Sequence, residues 1–247
     1  MHYALSRMNA LAGRADAGAS PATPEYAITR SRRKTVAIYV RGGKVEVRAP
    51  LRMPKREIDR FVLEKEKWIL KSLAKQQAQA AQREAFVINY GSSILFRGKP
   101  YPIVPRTEKH AGFDDEEFYM PTGLSRSQIK AACVRLYKIL AKAHIAKRVD
   151  FFAPHMGVVP TAVKINSAMK RWGSCSSLKS LNFSWRLIMA DDAIIDYVIV
   201  HELAHIKEMN HSARFWAIVE NTLSDFRECR RKLKELQSRL SGEDWSD

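Results

Sequence analysis

The 247-residue sequence has few cysteines and no long apolar segment. Its three cysteines, Cys133, Cys175 and Cys229, are far apart, and none belongs to a Cys-x-x-Cys pair. This pattern argues against a disulfide framework and favours a reducing cytoplasm, where we expect the protein to be found. No apolar run approaches the roughly 18 residues of a membrane span, so we predict no membrane association. Residues 1–25 also lack the continuous apolar segment of a secretory signal, and we predict a flexible leader there.

Acidic residues are scarce in the first part of the chain. Residues 1–110 contain 22 Lys and Arg against 9 Asp and Glu, a net charge of +13, whereas residues 111–247 contribute +3. The densest basic run occupies residues 30–34. Such a surface favours nucleic acid or another polyanion as a partner. A solvated face that aids solubility explains the run at least as well, because it lacks the interleaved aromatics of single-strand stacking platforms.

Hydrophobic periodicity and turn residues predict an α+β fold with separate small sheets. The predicted elements are a hairpin at 35–48, a helix at 54–75 that 76–84 would prolong, a β pair at 90–104, a helix at 126–149, strands at 163–166, 168–172 and 181–188, a helix capped by Asp191 and Asp192, and a last helix from Ser212 to about residue 240. After the leader we place a basic β-rich N-terminal subdomain with one long helix at residues 26–110 and a second domain at 111–247.

A His-Glu-x-x-His motif at residues 201–205 predicts a metal site. Because helical residues four positions apart lie nearly above one another, His201 and His205 would direct their ring nitrogens at one point. Glu202 lies one step round the helix, where its carboxylate would deprotonate a metal-activated water. The spacing therefore indicates a hydrolytic enzyme with Glu202 as the catalytic general base.

His211 supplies a third imidazole, six residues after His205. Three protein ligands and one open position are the usual set of a catalytic zinc site, so we predict His201, His205 and His211 as metal ligands and Zn²⁺ as the cofactor. The chain has to turn at residues 208–210, where asparagine tolerates the left-handed conformation that ends helices. The spacing is that of the metzincin proteases, but a glutamate replaces their glycine and no methionine-turn segment follows.

Other residues are alternatives for parts of the site. Asp225 is an alternative third ligand at the offset that gluzincin-type sites use, and Glu220 and Glu228 are also in range. Cys175 has no histidine at a spacing that would support a nucleophilic role. A purely structural zinc would want a fourth protein ligand, which nothing nearby supplies. Polar residues that would support the imidazoles or an oxyanion are Arg171, Asn166 and Tyr197. The strands at 168–172 or 181–187 would pair with an extended substrate.

Three blocks of the sequence resemble the YgjP-like metallopeptidase family. They are Arg-Ser-Arg-Arg-Lys-Thr at 30–35, Lys-Arg-Trp-Gly-Ser-Cys at 170–175 running into Leu-Asn-Phe at 181–183, and the histidine motif with Asn-His-Ser at 210–212 and Phe-Trp at 215–216. The resemblance covers nearly everything from Tyr26 onward. It implies a zinc-dependent hydrolase related to the SprT-like proteases. It also implies a zincin-like metallopeptidase domain at 111–247, with a small antiparallel sheet packed on the metal-site helix.

The predicted function is that of a zinc metallopeptidase, which hydrolyses peptide bonds in a peptide or protein substrate through a metal-activated water. An alternative is a nucleic-acid-associated protein, or an SprT-like protease that acts on DNA-bound proteins and docks through the basic N-terminal part. A third alternative is a non-catalytic scaffold with a vestigial site. The intact Glu202 argues against the scaffold, because zinc binding alone does not require this residue.

Overall fold

The computed structural model describes residues 25–246, so the predicted leader lies outside the described residues except for Glu25. The described chain forms two compact units, which divide between Ala80 and Ala81. We predicted a division between residues 110 and 111. The structure divides nearer the N-terminus because the strand at Lys99–Arg106 pairs with the strand at Phe118–Pro121, which places both strands in the second unit.

The first unit contains a three-stranded sheet. Its elements are β1 (Ala27–Ser31), β2 (Ala37–Arg41), β3 (Lys44–Pro50), α1 (Lys55–Glu64) and the first part of α2 (Glu66–Ala85). The predicted hairpin is confirmed as β2 and β3, and β1 adds a parallel strand to the other edge of β3. The predicted single helix is two helices, because the backbone N–H of Lys65 bonds to Val62 O three residues back and interrupts the helical ladder.

The second unit begins with a four-stranded sheet in the order β4-β5-β7-β6. Its strands are β4 (Ser93–Phe96), β5 (Lys99–Arg106), β6 (Gly112–Phe113) and β7 (Phe118–Pro121), of which β4 and β5 form the predicted β pair. In the β4–β5 turn, the backbone N–H groups of Arg97 and Gly98 donate to Ile188 O and Met189 O at 2.8 and 3.2 Å. This turn therefore supports the segment that leads into the motif helix.

A long helix, α3 (Arg126–His155), follows the four-stranded sheet. Ser125 and Gln128 form a capping box at its start. The helix continues past the predicted end at residue 149 and includes Pro154 in its last turn. Tyr137 on α3 is fully buried and stacks on Trp185 with 5.5 Å between ring centroids. These contacts attach α3 to the same core as the motif helix.

The third sheet has the order β8-β10-β9, with β8 (Ala162–Asn166), β9 (Gly173–Cys175) and β10 (Ser180–Ser184). We predicted a small antiparallel sheet, but this sheet is mixed. The chain reverses direction twice between β8 and β10, so these two strands are parallel, and only β9 is antiparallel to β10.

Of the strands predicted near this sheet, one is absent and one is shorter than predicted. Residues 168–172 form a loop, in which Asn166 Oδ1 accepts a hydrogen bond from Ala168 N at 2.9 Å. The strand predicted at 181–188 ends at Ser184, which caps a 3-10 helix at Trp185–Met189. All five residues of the 3-10 helix are buried, and a short apolar run does not distinguish a buried strand from a buried helical turn.

Three helices complete the second unit: α4 (Asp192–Ala204), α5 (Ala213–Thr222) and α6 (Phe226–Leu240). The last predicted helix is thus two helices, because Leu223 adopts an extended conformation with φ −138° and ψ 100°. Helix α4 packs against α3, α5, α6 and β9. None of the helices in residues 25–246 has the length and apolar character needed to cross a membrane.

Candidate metal centre

The C-terminal end of α4 carries two of the motif imidazoles. The helix begins at Asp191, whose side chain accepts a hydrogen bond from Ile194 N at 3.0 Å, as predicted for this cap. Most of its side chains are buried, so the helix crosses the core and brings its last turn to the site. The rings of His201 and His205 are nearly perpendicular, with 4.9 Å between their centroids. The helical spacing therefore brings these two rings together as expected.

The chain turns after His205, which is the C-cap of α4. Asn210 does not adopt the left-handed conformation that we predicted, because its φ is not positive. Its side chain makes the turn instead, since Asn210 Oδ1 accepts a hydrogen bond from Ser212 N at 3.0 Å. Ser212 then caps α5 by accepting a hydrogen bond from Phe215 N at 3.3 Å. Local side-chain bonds thus reverse the chain between the two helices.

This turn returns His211 to the other two rings. His211 Nε2 lies 3.0 Å from His201 Nε2. One nitrogen from each of His201, His205 and His211 lies within 4.8 Å of the others, the one such group of His, Cys, Asp or Glu in the part of the chain that the structure describes. The three predicted ligands therefore meet at one place, and their role as ligands stays a prediction.

The chemistry of the three rings fits a metal ion. Nitrogens about 2.0–2.1 Å from a tetrahedral zinc lie about 3.3 Å from one another, close to the spacing of the His201 and His211 nitrogens. His205 Nδ1 lies 3.1 Å from Glu208 O, and because a carbonyl only accepts, this ring carries its proton on Nδ1 and leaves Nε2 as the ligand atom. Burial and the neighbouring rings lower the pKa of His201 to about 3, which keeps it in the neutral form that binds metals.

Phe215 forms an apolar wall behind the three imidazoles. Its side chain is fully buried, and its ring centroid lies 4.9, 4.5 and 4.7 Å from those of His201, His205 and His211. Trp216 adds a second aromatic contact, 5.7 Å from the His211 ring. Since each ring packs against the same phenylalanine, α5 helps to orient all three candidate ligands.

Glu202 is held in a buried pocket beside the imidazoles. It is 6% exposed, and burial raises its pKa to about 7, although Arg171 opposes the shift. A Cβ atom at Gly173 would lie 2.5 Å from Glu202 Oε1 and 2.6 Å from its Cγ. The carboxyl group therefore packs directly on the backbone of β9, and only glycine leaves room for it. A carboxyl with a pKa near 7 is suited to accept and return a proton at neutral pH.

A cavity of about 350 Å³ opens at this carboxyl group. The residues around it are Trp172, Gly173, Tyr197, Val198, His201, Glu202, Arg230, Leu233, Lys234 and Gln237. Tyr197, which we predicted as a polar candidate, lies in this wall. Arg171 lines an adjoining cavity of about 550 Å³, and Asn166 is used in the loop beside it. The sequence did not predict that residues of α6 line this cavity, because only the packing of α6 on α4 brings them to the site.

The alternative ligands lie outside the imidazole group. Asp225 is at the N-cap position of α6, where Cys229 Sγ lies 3.9 Å from its carboxylate. Glu220 and Glu228 form ion pairs with neighbouring arginines at 2.6 and 2.5 Å. Burial raises the pKa of Cys175, which keeps this thiol protonated and makes it a poor nucleophile. None of the three acids belongs to the imidazole group as a third ligand, and these contacts do not place Cys175 as a reacting group.

Comparisons with known proteins give the family of the chain. Residues 34–236 match the model of the YgjP-like metallopeptidase domain. No curated protein matches the chain. Among solved structures, the chain is similar to the metallopeptidase zymogen of Pyrococcus abyssi abylysin, with 21% identity over 38% of this chain and 95% of that one and a TM-score of 0.35. It is also similar to the zymogen of Methanocaldococcus jannaschii jannalysin, with 22% identity, coverage of 37% and 94%, and a TM-score of 0.34.

At these identities and TM-scores, we draw the assignment from the family match alone. The match spans most of the sequence and includes both the histidine motif and β9. A metallopeptidase works with a metal ion, for which the three imidazoles are the candidate ligands. The chain belongs to the YgjP-like metallopeptidase family.

Proposed function

We propose that this metallopeptidase is zinc-dependent and hydrolyses peptide bonds, with His201, His205 and His211 as the metal ligands and Glu202 as the general base. The observation that carries the proposal is the meeting of three imidazole nitrogens within 4.8 Å beside a buried carboxyl group that faces a cavity. A set of three neutral imidazoles suits zinc among the common protein-bound metals. The bound metal would polarise the scissile carbonyl and activate the attacking water.

The chain's own residues have separate tasks in this reaction. Glu202 accepts the proton of the attacking water and returns it to the leaving amine, for which its raised pKa is suited. Gly173 and the backbone of β9 hold that carboxyl group in place. Tyr197 lines the same cavity and is the candidate donor to the developing oxyanion. Hydrolysis adds one water across the C–N bond and releases a carboxylate and an amine.

The test combines metal analysis with cleavage of casein and a peptide library. Wild type, Glu202→Gln and Glu202→Ala should each bind about one zinc per chain, while both variants lose about 10²-fold or more in cleavage rate. Glu208→Gln is the matched control, since Glu208 is partly exposed and contacts the His205 ring through its backbone carbonyl, which the substitution keeps. Undiminished cleavage by Glu202→Gln would exclude the general-base role, and purified protein with a different bound metal would exclude zinc.

The alternative of a protease that acts on DNA-bound proteins still depends on the basic N-terminal part. The family match does not support nucleic-acid binding. The alternative predicts a salt-dependent shift with single-stranded or duplex DNA, and absence of binding at low salt would contradict it.

A further inference from the structure

Three adjoining cavities extend from the candidate site within the second unit. The cavity at Glu202 shares Trp172 and Gln237 with the cavity of about 550 Å³, and it shares Arg230 and Lys234 with a third cavity of about 560 Å³. We call this continuous depression the basic groove. Its basic residues are Arg83, Lys170, Arg171, Arg186, Arg227, Arg230, Arg231 and Lys234, and its one acidic residue is Glu202.

The average charge of the second unit does not explain why nearly all the charged residues of the basic groove are positive. The second unit, residues 81–247, contains 25 basic and 19 acidic residues, so a groove that sampled them evenly would include several carboxylates. The basic side chains are instead concentrated around the general-base candidate. A cleft lined by charges of one sign attracts ligands of the opposite sign and holds them near the reacting groups.

Some of these cations already have partners. Arg227 pairs with Glu220 at 2.6 Å, and Arg231 pairs with Glu228 at 2.5 Å. Arg83 and Arg186 donate to backbone carbonyls at 2.7 and 3.2 Å. The charges of Arg227 and Arg231 are therefore largely neutralised by their glutamates, and all four residues serve the structure.

The other four cations are exposed and have no ion pair with a carboxylate of residues 25–246: Lys170, Arg171, Arg230 and Lys234. They belong to two elements that line the groove, two in the loop before β9 and two on α6. Arg230 and Lys234 line the cavity that contains His201 and Glu202, and Lys170 and Arg171 line the adjoining cavity. Positive charge from two elements of the chain therefore borders the reacting groups.

We propose that the substrates of this peptidase are acidic peptides, whose Asp and Glu side chains on either side of the scissile bond are bound by Lys170 and Arg171 and by Arg230 and Lys234. This inference rests on the proposed function, because it names the substrate class of the same site. Guanidinium and ammonium groups form charge-assisted hydrogen bonds to carboxylates, and guanidinium can bind them through two parallel bonds. The apolar side chains of Trp172 and Leu233 provide surface for the rest of the peptide.

The test uses pairs of peptides of equal length. One member of each pair has Asp and Glu around the cleaved bond, and the other has Asn and Gln at the same positions. With zinc-loaded wild type, the acidic member should have a kcat/KM on the order of tenfold higher in dilute salt, with a smaller ratio as NaCl is added. Lys170→Gln and Lys234→Gln should each reduce this ratio, and the double variant should reduce it most. Lys142→Gln, an exposed lysine on α3 outside the groove, should keep it.

Binding of the same peptides to the Glu202→Gln protein separates this inference from the proposed function. Preferential binding of the acidic member without any cleavage by wild type would contradict peptide hydrolysis and leave the groove assignment standing. Equal binding of the two members, or a preference that survives Lys170→Gln and Lys234→Gln together, would overturn the groove assignment. Tight binding of a single-stranded oligonucleotide that competes with the acidic peptide would assign the groove to nucleic acid. That result would also overturn the assignment of the groove to acidic peptides.

Discussion

Gly173 lies against the carboxyl group of Glu202 so closely that a Cβ atom on the glycine would stand 2.5 Å from Oε1. The glycine is in β9, and the glutamate is on α4. The φ of Gly173 lies outside the left-handed region, so the backbone conformation would accept an alanine. The only obstacle to alanine is the steric clash of its Cβ atom with Glu202. The contact therefore fixes where the general-base candidate sits relative to the imidazoles.

Gly173→Ala should reduce peptide hydrolysis by about 10- to 100-fold, because either the carboxyl group or β9 has to move, and small displacements of a reacting group have effects of this size. Zinc content should stay near that of wild type, since the three atoms nearest to the added Cβ all belong to Glu202. The measurement is kcat/KM on a cleaved peptide together with metal analysis of the same preparation.

Gly123→Ala is the control for this substitution. Gly123 has φ +79°, and no atom lies within 4 Å of the position that a Cβ atom would take, so alanine there costs about 1–2 kcal/mol in backbone strain without a steric contact. It should lower the melting temperature and leave kcat/KM unchanged. Wild-type activity in Gly173→Ala would show that the contact does not position Glu202.

His211→Ala should abolish stoichiometric zinc binding, because two imidazoles alone bind the metal weakly. Metal analysis after dialysis against a weak chelator measures the loss. His110→Ala, which removes an exposed histidine outside the site, should retain one zinc. Full zinc in His211→Ala together with loss of zinc in Asp225→Ala would make the ligand assignment wrong.

Phe215→Leu should weaken zinc binding as well as stability, because the ring packs on all three imidazoles. Phe215→Ala should lower the free energy of unfolding by about 3–5 kcal/mol, the usual range for a buried phenylalanine. Urea unfolding gives the stability, and competition with a chelator gives the zinc affinity.

Phe118→Leu provides the comparison for the substitutions at Phe215. Phe118 is also fully buried, but its ring contacts are with other aromatic residues of the β4–β7 sheet and α3. It should reduce stability without a change in zinc affinity. Equal zinc affinity in Phe215→Leu and Phe118→Leu would mean that Phe215 does not orient the ligands.

Asp114→Asn should destabilise the protein in a pH-dependent way. Backbone N–H groups and the Arg106 guanidinium lower the pKa of Asp114 below its usual value. A lowered carboxyl pKa stabilises the fold above the unfolded pKa of about 3.9, and this contribution is lost as the pH falls through the folded pKa. The difference in melting temperature between wild type and Asp114→Asn should therefore be largest near pH 7 and shrink towards pH 3.

Asp115→Asn is the control in the same turn. Asp115 has φ +72°, which asparagine accommodates, so this substitution should leave the melting temperature at pH 7 close to that of wild type. A constant difference for Asp114→Asn between pH 7 and pH 3 would contradict the electrostatic explanation.

Local signals predicted much of this fold. The helix starts predicted at residue 126, at Asp191 and at Ser212 are confirmed by the caps at Ser125, Asp191 and Ser212. The four-residue spacing of His201 and His205 likewise indicated that their rings would meet, because that geometry belongs to a single helix.

Features that depend on packing between distant segments were not predictable. The apolar run at residues 181–188 changes from strand to 3-10 helix at Ser184, and Phe183 and Ser184 are as fully buried as the helical residues that follow. The contact of Gly173 with Glu202 and the placement of Arg230 beside the site arise from β9 and α6 packing on α4. No periodicity within either segment reports such a contact, so the sequence alone indicated the ligands but not the groove.

The connection from His205 to His211 is only six residues long, and local hydrogen bonds already order it. A metal that joined these two rings would act as a clip across a very small loop, and the chain entropy that such a clip removes from the unfolded state grows with loop length. Removal of the metal should therefore abolish catalysis without unfolding the protein. The inactive apoprotein should then bind metal again without a refolding step.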